Sequence, residues 1–385
     1  MKILFVNTHM KIGGISTSLY NWLQFLAQKN NNHEVETVIF NKDYSDKFSK
    51  ITQDFKIINP KGGNFLFYNL NNKQSLIGKI FFHFFYKINL INFLKKKYCL
   101  LTDFKQSYDI AISYSNDIPA SNFNLMCNDF VEMCVNAKYK VAWIHNDIEK
   151  LGITREYALN RYQKFDAIVN VSESCKLQFD ALVPEYTYKS FVISNPIDVS
   201  FIKNLSLENI DVKFCDESLN LVTVARIFNE QKRIDRILEI VKLLIADDLD
   251  FHWYIVGDGE DLEWLKSKST EMNLNKHITF LGFKINPYSY IKAADFFVLT
   301  SDYEAQGMVI TESLLLGTPV ITTNFEAAYE FIQEGVNGYI LPKDPHRFYI
   351  ILKDFILCKK KIKFEPIVYS QYQSDFEILL KHLEN

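Results

Sequence analysis

Residues 301–320 read SDYEAQGMVITESLLLGTPV and directly follow a continuous apolar run, Phe296–Leu299. A short unbroken run of that kind predicts a strand buried on both faces of a parallel sheet. Glu304 then falls in the loop at the carboxyl end of that strand. From Gly307 the pattern turns helical, and Gly317 with Pro319 stops it. Strand, loop and helix together put Glu312 in the second helical turn and Glu304 just ahead of the first. The N–H groups of Gly307, Met308 and Val309 have no partner inside such a helix and open on the same crevice, a ready anion site. Amides that hold a phosphate, with a carboxylate on each side to accept hydrogen bonds from neutral hydroxyls, suit a phosphorylated sugar. A loop acid and a solvated helix face explain the same spacing equally well, because acidic residues gather near helix starts.

Outward from this stretch, short apolar strands alternate with helical patterns almost throughout, which predicts an α/β chain with parallel sheets. At 385 residues two domains are expected. Strand Lys2–Asn7 leads through His9–Gly14 into a helix with Leu19, Trp22, Leu23 and Leu26 at core spacing. Adjacent Gly13 and Gly14 let backbone approach a ligand at the helix start, although a simple tight turn also accounts for them. G-x-G-x-x-G is absent, and strand Glu34–Phe40 ends in Asn41 rather than a ribose-binding acid, so a nicotinamide enzyme is disfavoured. Further strands are expected at Tyr108–Tyr114, Tyr139–Ile144, Asp166–Val171 and Tyr188–Ile193. His145 follows the second of these, at the carboxyl end where open α/β sheets place ligands.

The turn Ser194-Asn195-Pro196-Ile197-Asp198 is the best domain boundary. The alternation then restarts with strand Leu219–Ala225, a helix carrying Ile234, Ile237, Leu238, Val241 and Leu244, and strands at Trp253–Val256, Ile278–Leu281, Val320–Thr323 and Tyr339–Leu341. Arg226 ends the first of these strands and Lys232 sits near the following helix start. A planar fork and a point charge there can clamp a diphosphate, while surface charge is the plain alternative; Arg233 and Arg236 read as surface charges. The divisions expected are 1–196, 197–366 and an amphipathic tail, 367–385, that docks elsewhere.

A net charge of −3 argues against a nucleic-acid partner. Six scattered cysteines with no C-x-x-C pair suggest a reducing cytoplasm without a disulfide framework. The first strand begins at once, so no signal peptide is expected, and no apolar run is long enough to span a bilayer. Residues 55–102 hold no acid but carry Lys56, Lys61, Lys73, Lys79, Lys87, Lys95, Lys96 and Lys97 among many aromatic and aliphatic residues. A basic, aromatic-rich segment of this kind, centred on 65–98, suits the anionic inner face of a cell membrane; a core helix with a wet lysine face is the alternative.

The succession GGIS, WIHND, SNPID, VAR with a lysine six residues on, VGDGED, FLGF, YEAQGMVITESLLLGTPVI and NGYILP resembles the retaining glycosyltransferases of glycosyltransferase family 4 (glycosyl transferases group 1), over most of the chain and most specifically over 219–342. The resemblance implies the GT-B fold, two Rossmann-like domains with parallel sheets facing across a cleft. It implies acceptor binding by the N-terminal domain, nucleotide-sugar binding by the C-terminal one, and a tail helix that crosses back to the first. It further implies that Arg226 and Lys232 bind the donor diphosphate, that Glu304 holds the donor sugar's hydroxyls and that Glu312 holds the ribose. Backbone at Gly307, Met308 and Val309 would complete the phosphate and sugar contacts. Phe283, Lys284 and Ile285 would hold the base, Gly14 would approach the phosphate from the other domain, and His145 would meet the transferred sugar. Ala305 and Ser313 replace the family's usual glycine and alanine, which bears on donor sugar identity more than on activity.

No Asp-x-Asp stands at a strand end, so neither metal nor cofactor is expected, and the Arg–Lys pair with a helix terminus can neutralise a leaving diphosphate. The function expected is a metal-independent, retaining transfer from a UDP-linked sugar to a lipid-linked or polysaccharide acceptor in bacterial surface glycan synthesis (capsule, lipopolysaccharide or teichoic acid), at the cytoplasmic face of the membrane. The alternatives are a UDP-sugar epimerase on the same frame and a non-catalytic membrane-associated scaffold.

Overall fold

The structure is a computed structural model of the 385-residue chain. It describes residues 1–11, 13–27, 33–41, 48, 51–60, 104–117, 119, 127–215, 218–358 and 364–384. The basic segment 65–98, with its expected membrane contact, lies outside the described residues. No helix among those described is long and apolar enough to cross a membrane.

The chain forms two compact units, Met1–Pro196 with Gln371–Asn385, and Ile197–Ser370. Unit one carries β1 (Lys2–Asn7), β2 (Glu34–Ile39), β3 (Lys56–Ile58), β4 (Ser107–Ser113), β5 (Asn136–Ile144), β6 (Ala167–Asn170) and β7 (Ser190–Val192). They form one sheet in the order β3-β2-β1-β4-β5-β6-β7, with every pair parallel. Unit two carries β8 (Leu219–Val224), β9 (Phe251–Val256), β10 (Ile278–Gly282), β11 (Phe296–Leu299), β12 (Val320–Thr323) and β13 (Gly338–Leu341), again all parallel, in the order β10-β9-β8-β11-β12-β13. Each sheet grows outward from its first strand, returns beside that strand, and grows the other way. The return leaves a topological switch point between β1 and β4 and between β8 and β11, where neighbouring loops depart in opposite directions and a crevice opens at the carboxyl edge.

Burial explains why the strands read as apolar runs. Phe296, Phe297, Val298 and Leu299 are fully buried because helices cover both faces of a parallel sheet. In the helix Ile234–Ala246, Ile234, Ile237, Leu238, Val241 and Leu244 lie in the core as their spacing predicts. β3 falls at the start of the acid-free basic stretch 55–102. Its Lys56 is spent on the buried Glu36 carboxylate at 2.5 Å, beside the Tyr108 phenol at 2.6 Å, so this lysine is part of a sheet and not of a free basic face.

The tail helix Gln371–Glu384 buries Tyr372, Phe376, Leu379 and Leu383. Phe376 meets Trp22 of the helix Gly14–Ala27 with ring centroids 5.0 Å apart, and Tyr372 meets both Trp22 and Phe25 at 5.7 Å. Residues 367–370, expected in the tail, stay with unit two: the Ile367 amide donates to the Leu314 carbonyl at 3.2 Å, and Tyr369 stacks edge-on against Phe331. Cys134 is disulfide-bonded, a single cross-link that the expectation of no disulfide framework did not include, while Cys127, Cys175, Cys215 and Cys358 are free.

Candidate active site

In unit two the strands flanking the switch point, β8 and β11, pair at Leu221↔Phe296 and Val222↔Phe297, so the loops that follow them start side by side. After β8 the chain runs through Arg226 into the short helix Asn229–Lys232, turns at Arg233 in the left-handed conformation (φ 49°), and enters Ile234–Ala246. The two loops are stitched together. The Thr300 hydroxyl is shared between the Lys232 and Arg233 carbonyls at 3.1 and 3.0 Å, and the Asp302 amide donates to the Gln231 carbonyl at 2.8 Å. This stitching brings Lys232 onto Glu304 as an ion pair whose side chains are only 15% and 9% exposed. Ser301 donates to Glu304 Oε1 at 2.6 Å, and Gln231 Nε2 lies 3.4 Å from Oε2. The carboxylate predicted at the strand end and the lysine predicted at the helix start therefore meet.

Arg233 and Arg236, expected on the surface, brace the site instead. Arg236 is buried; it donates to the Thr300 carbonyl at 2.8 Å and to Asp302 at 2.6 Å, and Arg233 reaches the other Asp302 oxygen at 3.1 Å. Burial opposes the charge on Asp302, but hydrogen bonds from both arginines and their positive charge hold its carboxyl below the usual carboxylate range. Sequence spacing carried a signal for this: Arg236 lies one turn before Ile240 and two before Leu244, on the core side of its helix. Gln231, Ser301 and Asp302 gave no comparable signal.

Arg226 is exposed, its guanidinium resting over the Phe228 ring at 4.9 Å. The loop beneath it is clamped by Gly257-Asp258-Gly259. The Ala225 amide donates to the Val256 carbonyl at 3.1 Å and the Ile227 amide to the Asp258 carbonyl at 2.9 Å. A Cβ at Gly257 would sit 1.8 Å from the Ala225 carbonyl oxygen, and one at Gly259 would sit 2.1 Å from that of Ile227, so only glycine permits this approach.

Gly307 takes a left-handed conformation (φ 75°) and opens the helix Met308–Leu315 with no side-chain cap, as an amide anion site requires. Met308 and Val309 are half-buried beside it. Glu312 lies in the second turn as expected, and its carboxylate accepts a hydrogen bond from the buried Tyr288 phenol, which burial and that negative charge push well up. Phe283 and Ile285 are 45% and 66% exposed, as a base platform would be. Lys284 between them is committed: it pairs with Asp211 and lies over the Tyr290 ring at 5.8 Å.

The two residues expected from unit one stand at its own switch region. Gly14 is exposed at the first position of Gly14–Ala27. His145 follows β5, buried against Tyr114 with ring centroids 4.4 Å apart, and its amide is fixed by Asn116 Oδ1 at 3.0 Å. Burial pushes its pKa down to about 3, and a hydrogen bond to the Tyr114 backbone only partly opposes this, so the ring is neutral; Nε2 has no hydrogen-bond partner among the described residues. Among the described residues no three His, Cys, Asp or Glu side chains gather as metal ligands would.

Residues 208–361, which contain every unit-two residue of the candidate site, match the family described as Glycosyl transferases group 1. This stretch is a glycosyl transferases group 1 domain. A lipopolysaccharide core biosynthesis glycosyltransferase, LpsE, of Rhizobium meliloti is 31% identical over 114 residues, 30% of this chain and 32% of that protein. A poly(ribitol-phosphate) alpha-N-acetylglucosaminyltransferase of Staphylococcus aureus is 26% identical over 212 residues, 53% of this chain and 40% of that protein. The matched stretches thus span only 32% and 40% of these relatives' lengths. The crystal structure of HepE of Anabaena in complex with UDP-glucose superposes with a TM-score of 0.64 at 16% identity, covering 100% of this chain and 98% of that one. The fold is GT-B, with the group 1 domain as its second Rossmann-like unit.

Proposed function

We propose that the chain is a retaining glycosyltransferase that moves a sugar from a nucleotide-diphosphate sugar, UDP-linked, to a lipid-linked or polysaccharide acceptor in bacterial surface glycan synthesis. The observation that carries this reading is the Lys232–Glu304 pair, set between the Arg226 loop and the uncapped helix start at Gly307, at the switch point of the group 1 domain. Cation, amides and carboxylate are the three kinds of partner that a diphosphate joined to a hydroxylated ring demands. The names of the two relatives support the surface-glycan setting, and the HepE complex with UDP-glucose supports a UDP-linked donor.

In this reading Arg226 and Lys232 take the diphosphate and the Gly307–Val309 amides complete its shell. Glu304 accepts from the sugar hydroxyls, and Glu312 from the ribose. Phe283 and Ile285 flank the base, which leaves Lys284 holding the loop through Asp211 rather than reading the nucleotide. Gly14 approaches the phosphate and His145, neutral, accepts from a sugar hydroxyl. The acceptor oxygen attacks the anomeric carbon from the face the diphosphate leaves. The carbon–oxygen bond to phosphate breaks, and the departing phosphate oxygen takes the acceptor's proton, so configuration is retained. The developing negative charge falls on Arg226, Lys232 and the helix start, without metal or cofactor. Contact of residues 65–98 with an anionic membrane surface would present the acceptor; flotation with anionic liposomes at low salt tests it, and failure to bind removes that part.

The deciding experiment incubates wild type, Glu304→Ala and Arg226→Ala with UDP- and GDP-linked sugars and follows release of free nucleotide by mass spectrometry. Release from one UDP-sugar, lost in both variants, is the expected result. Isomerised donor, no nucleotide binding at all, or an inverted product by proton NMR would each overturn the reading.

A further inference from the structure

Asp261 stands at the start of the helix Leu262–Glu271, the position where an aspartate ordinarily caps its own helix. It does not. No side-chain cap bond forms there, and the carboxylate instead accepts the Asn229 amide at 2.6 Å, across the crevice wall. Asn229 is the first residue of the short helix that ends in Lys232, and that helix has no side-chain cap from its own Phe228. On its other side, the Asp261 amide donates to the Ile227 carbonyl at 3.3 Å, one residue beyond Arg226. The half-buried Asp261 thus holds both ends of the segment 227–229, with Arg226 just before it and Lys232 at the end of the helix it starts. Its own helix gives up a cap to make this bridge possible.

We infer that Asp261 is a positioning residue for the two cations that receive the donor diphosphate, and that it sets their spacing without touching the donor. The inference rests on the donor reading above. An amide side chain offers the same acceptor oxygen to the Asn229 N–H, so Asp261→Asn keeps the bridge, whereas Asp261→Ala leaves that N–H to water and frees the segment.

The test measures binding of UDP and of uridine, by calorimetry and competition, to wild type, Asp261→Ala, Asp261→Asn, Lys232→Ala, Arg226→Ala and the Asp261→Ala/Lys232→Ala pair. Loss of one cap is worth about five- to tenfold in an equilibrium constant, so Asp261→Ala should weaken UDP by that factor. Uridine binding should hold steady, and Asp261→Asn should recover most of the loss. In the pair, Asp261→Ala should add less to Lys232→Ala than it costs alone, because part of its effect passes through that lysine and the rest through Arg226. A loss shared equally by UDP and uridine, no rescue by asparagine, or full additivity would overturn the inference while leaving the donor reading intact. Unchanged UDP affinity in Lys232→Ala and Arg226→Ala would instead overturn the donor reading, and this inference with it.

Discussion

Lys232 and Glu304 stand 72 positions apart in sequence and form one ion pair, each contributed by a loop that starts beside the other at the centre of the second sheet. Removing one partner of a mostly buried pair leaves the other charge uncompensated. Lys232→Met should therefore lower the unfolding free energy by roughly 1–3 kcal/mol, less than for a fully buried pair because Ser301 and Gln231 still donate to the carboxylate. Lys232→Met with Glu304→Gln should regain most of that stability in urea denaturation while binding no donor. A double variant as unstable as the single one would show that the pair is not the source.

Arg236→Met should uncouple the two loops without touching a ligand. Asp302 has its folded pKa held below its unfolded value, so its contribution is present in full above about pH 4–5 and is lost as pH falls through the folded value. Removing Arg236 should flatten that acid limb. Urea midpoints at pH 3 and pH 7 for both proteins measure it, and equal steepness in wild type and variant would contradict the assignment.

His145 is neutral when folded, with its pKa at about 3, whereas it takes a proton near pH 6.5 when unfolded. Its depressed pKa makes the stability it contributes present above about pH 6.5 and progressively lost as pH falls toward the folded value. Replacing it with glutamine should make the first unit less sensitive to acid between pH 7.5 and pH 5, as followed by near-ultraviolet circular dichroism. An unchanged difference between the two pH values would place that sensitivity elsewhere.

Gly257→Ala and Gly259→Ala push a methyl into the Ala225 and Ile227 carbonyls, so the backbone that carries Arg226 must move. Each should weaken UDP binding by at least tenfold, roughly 1.4 kcal/mol, with the remainder of the fold intact by far-ultraviolet circular dichroism. Phe376→Ala is the opposite control: a loss of about 3–5 kcal/mol from the first unit, as for other buried aromatics, with UDP affinity unchanged.

Much of this was legible because burial writes itself into sequence. Phe296–Leu299 read as a doubly covered strand and is one, and the loop position of Glu304 followed from it. The helix Ile234–Ala246 was equally plain, yet the same periodicity that revealed its core was not extended to Arg236, whose charge hides a buried position satisfied only by Asp302 and a carbonyl. β3 was missed because a lysine and two isoleucines at the edge of a basic run carry no alternation to distinguish them. The commitment of Lys284 to Asp211, 73 residues away, depends on a tertiary meeting that no local pattern encodes. Asp261 shows the same limit: its position announces a helix start, and only the fold reveals which helix it serves.

The tail helix that completes the Trp22 cluster makes the second unit an insertion within the first. During synthesis, residues 197–370 emerge with the six strands of the described sheet and can close it before the first unit has received the helix Gln371–Glu384. Trp22 must wait for Phe376, which follows it by 376 − 22 = 354 positions. The nascent chain should accordingly gain protease resistance in an order opposite to its sequence, second unit before first. A stop codon in the last fifteen residues would then injure the half of the protein that was made earliest.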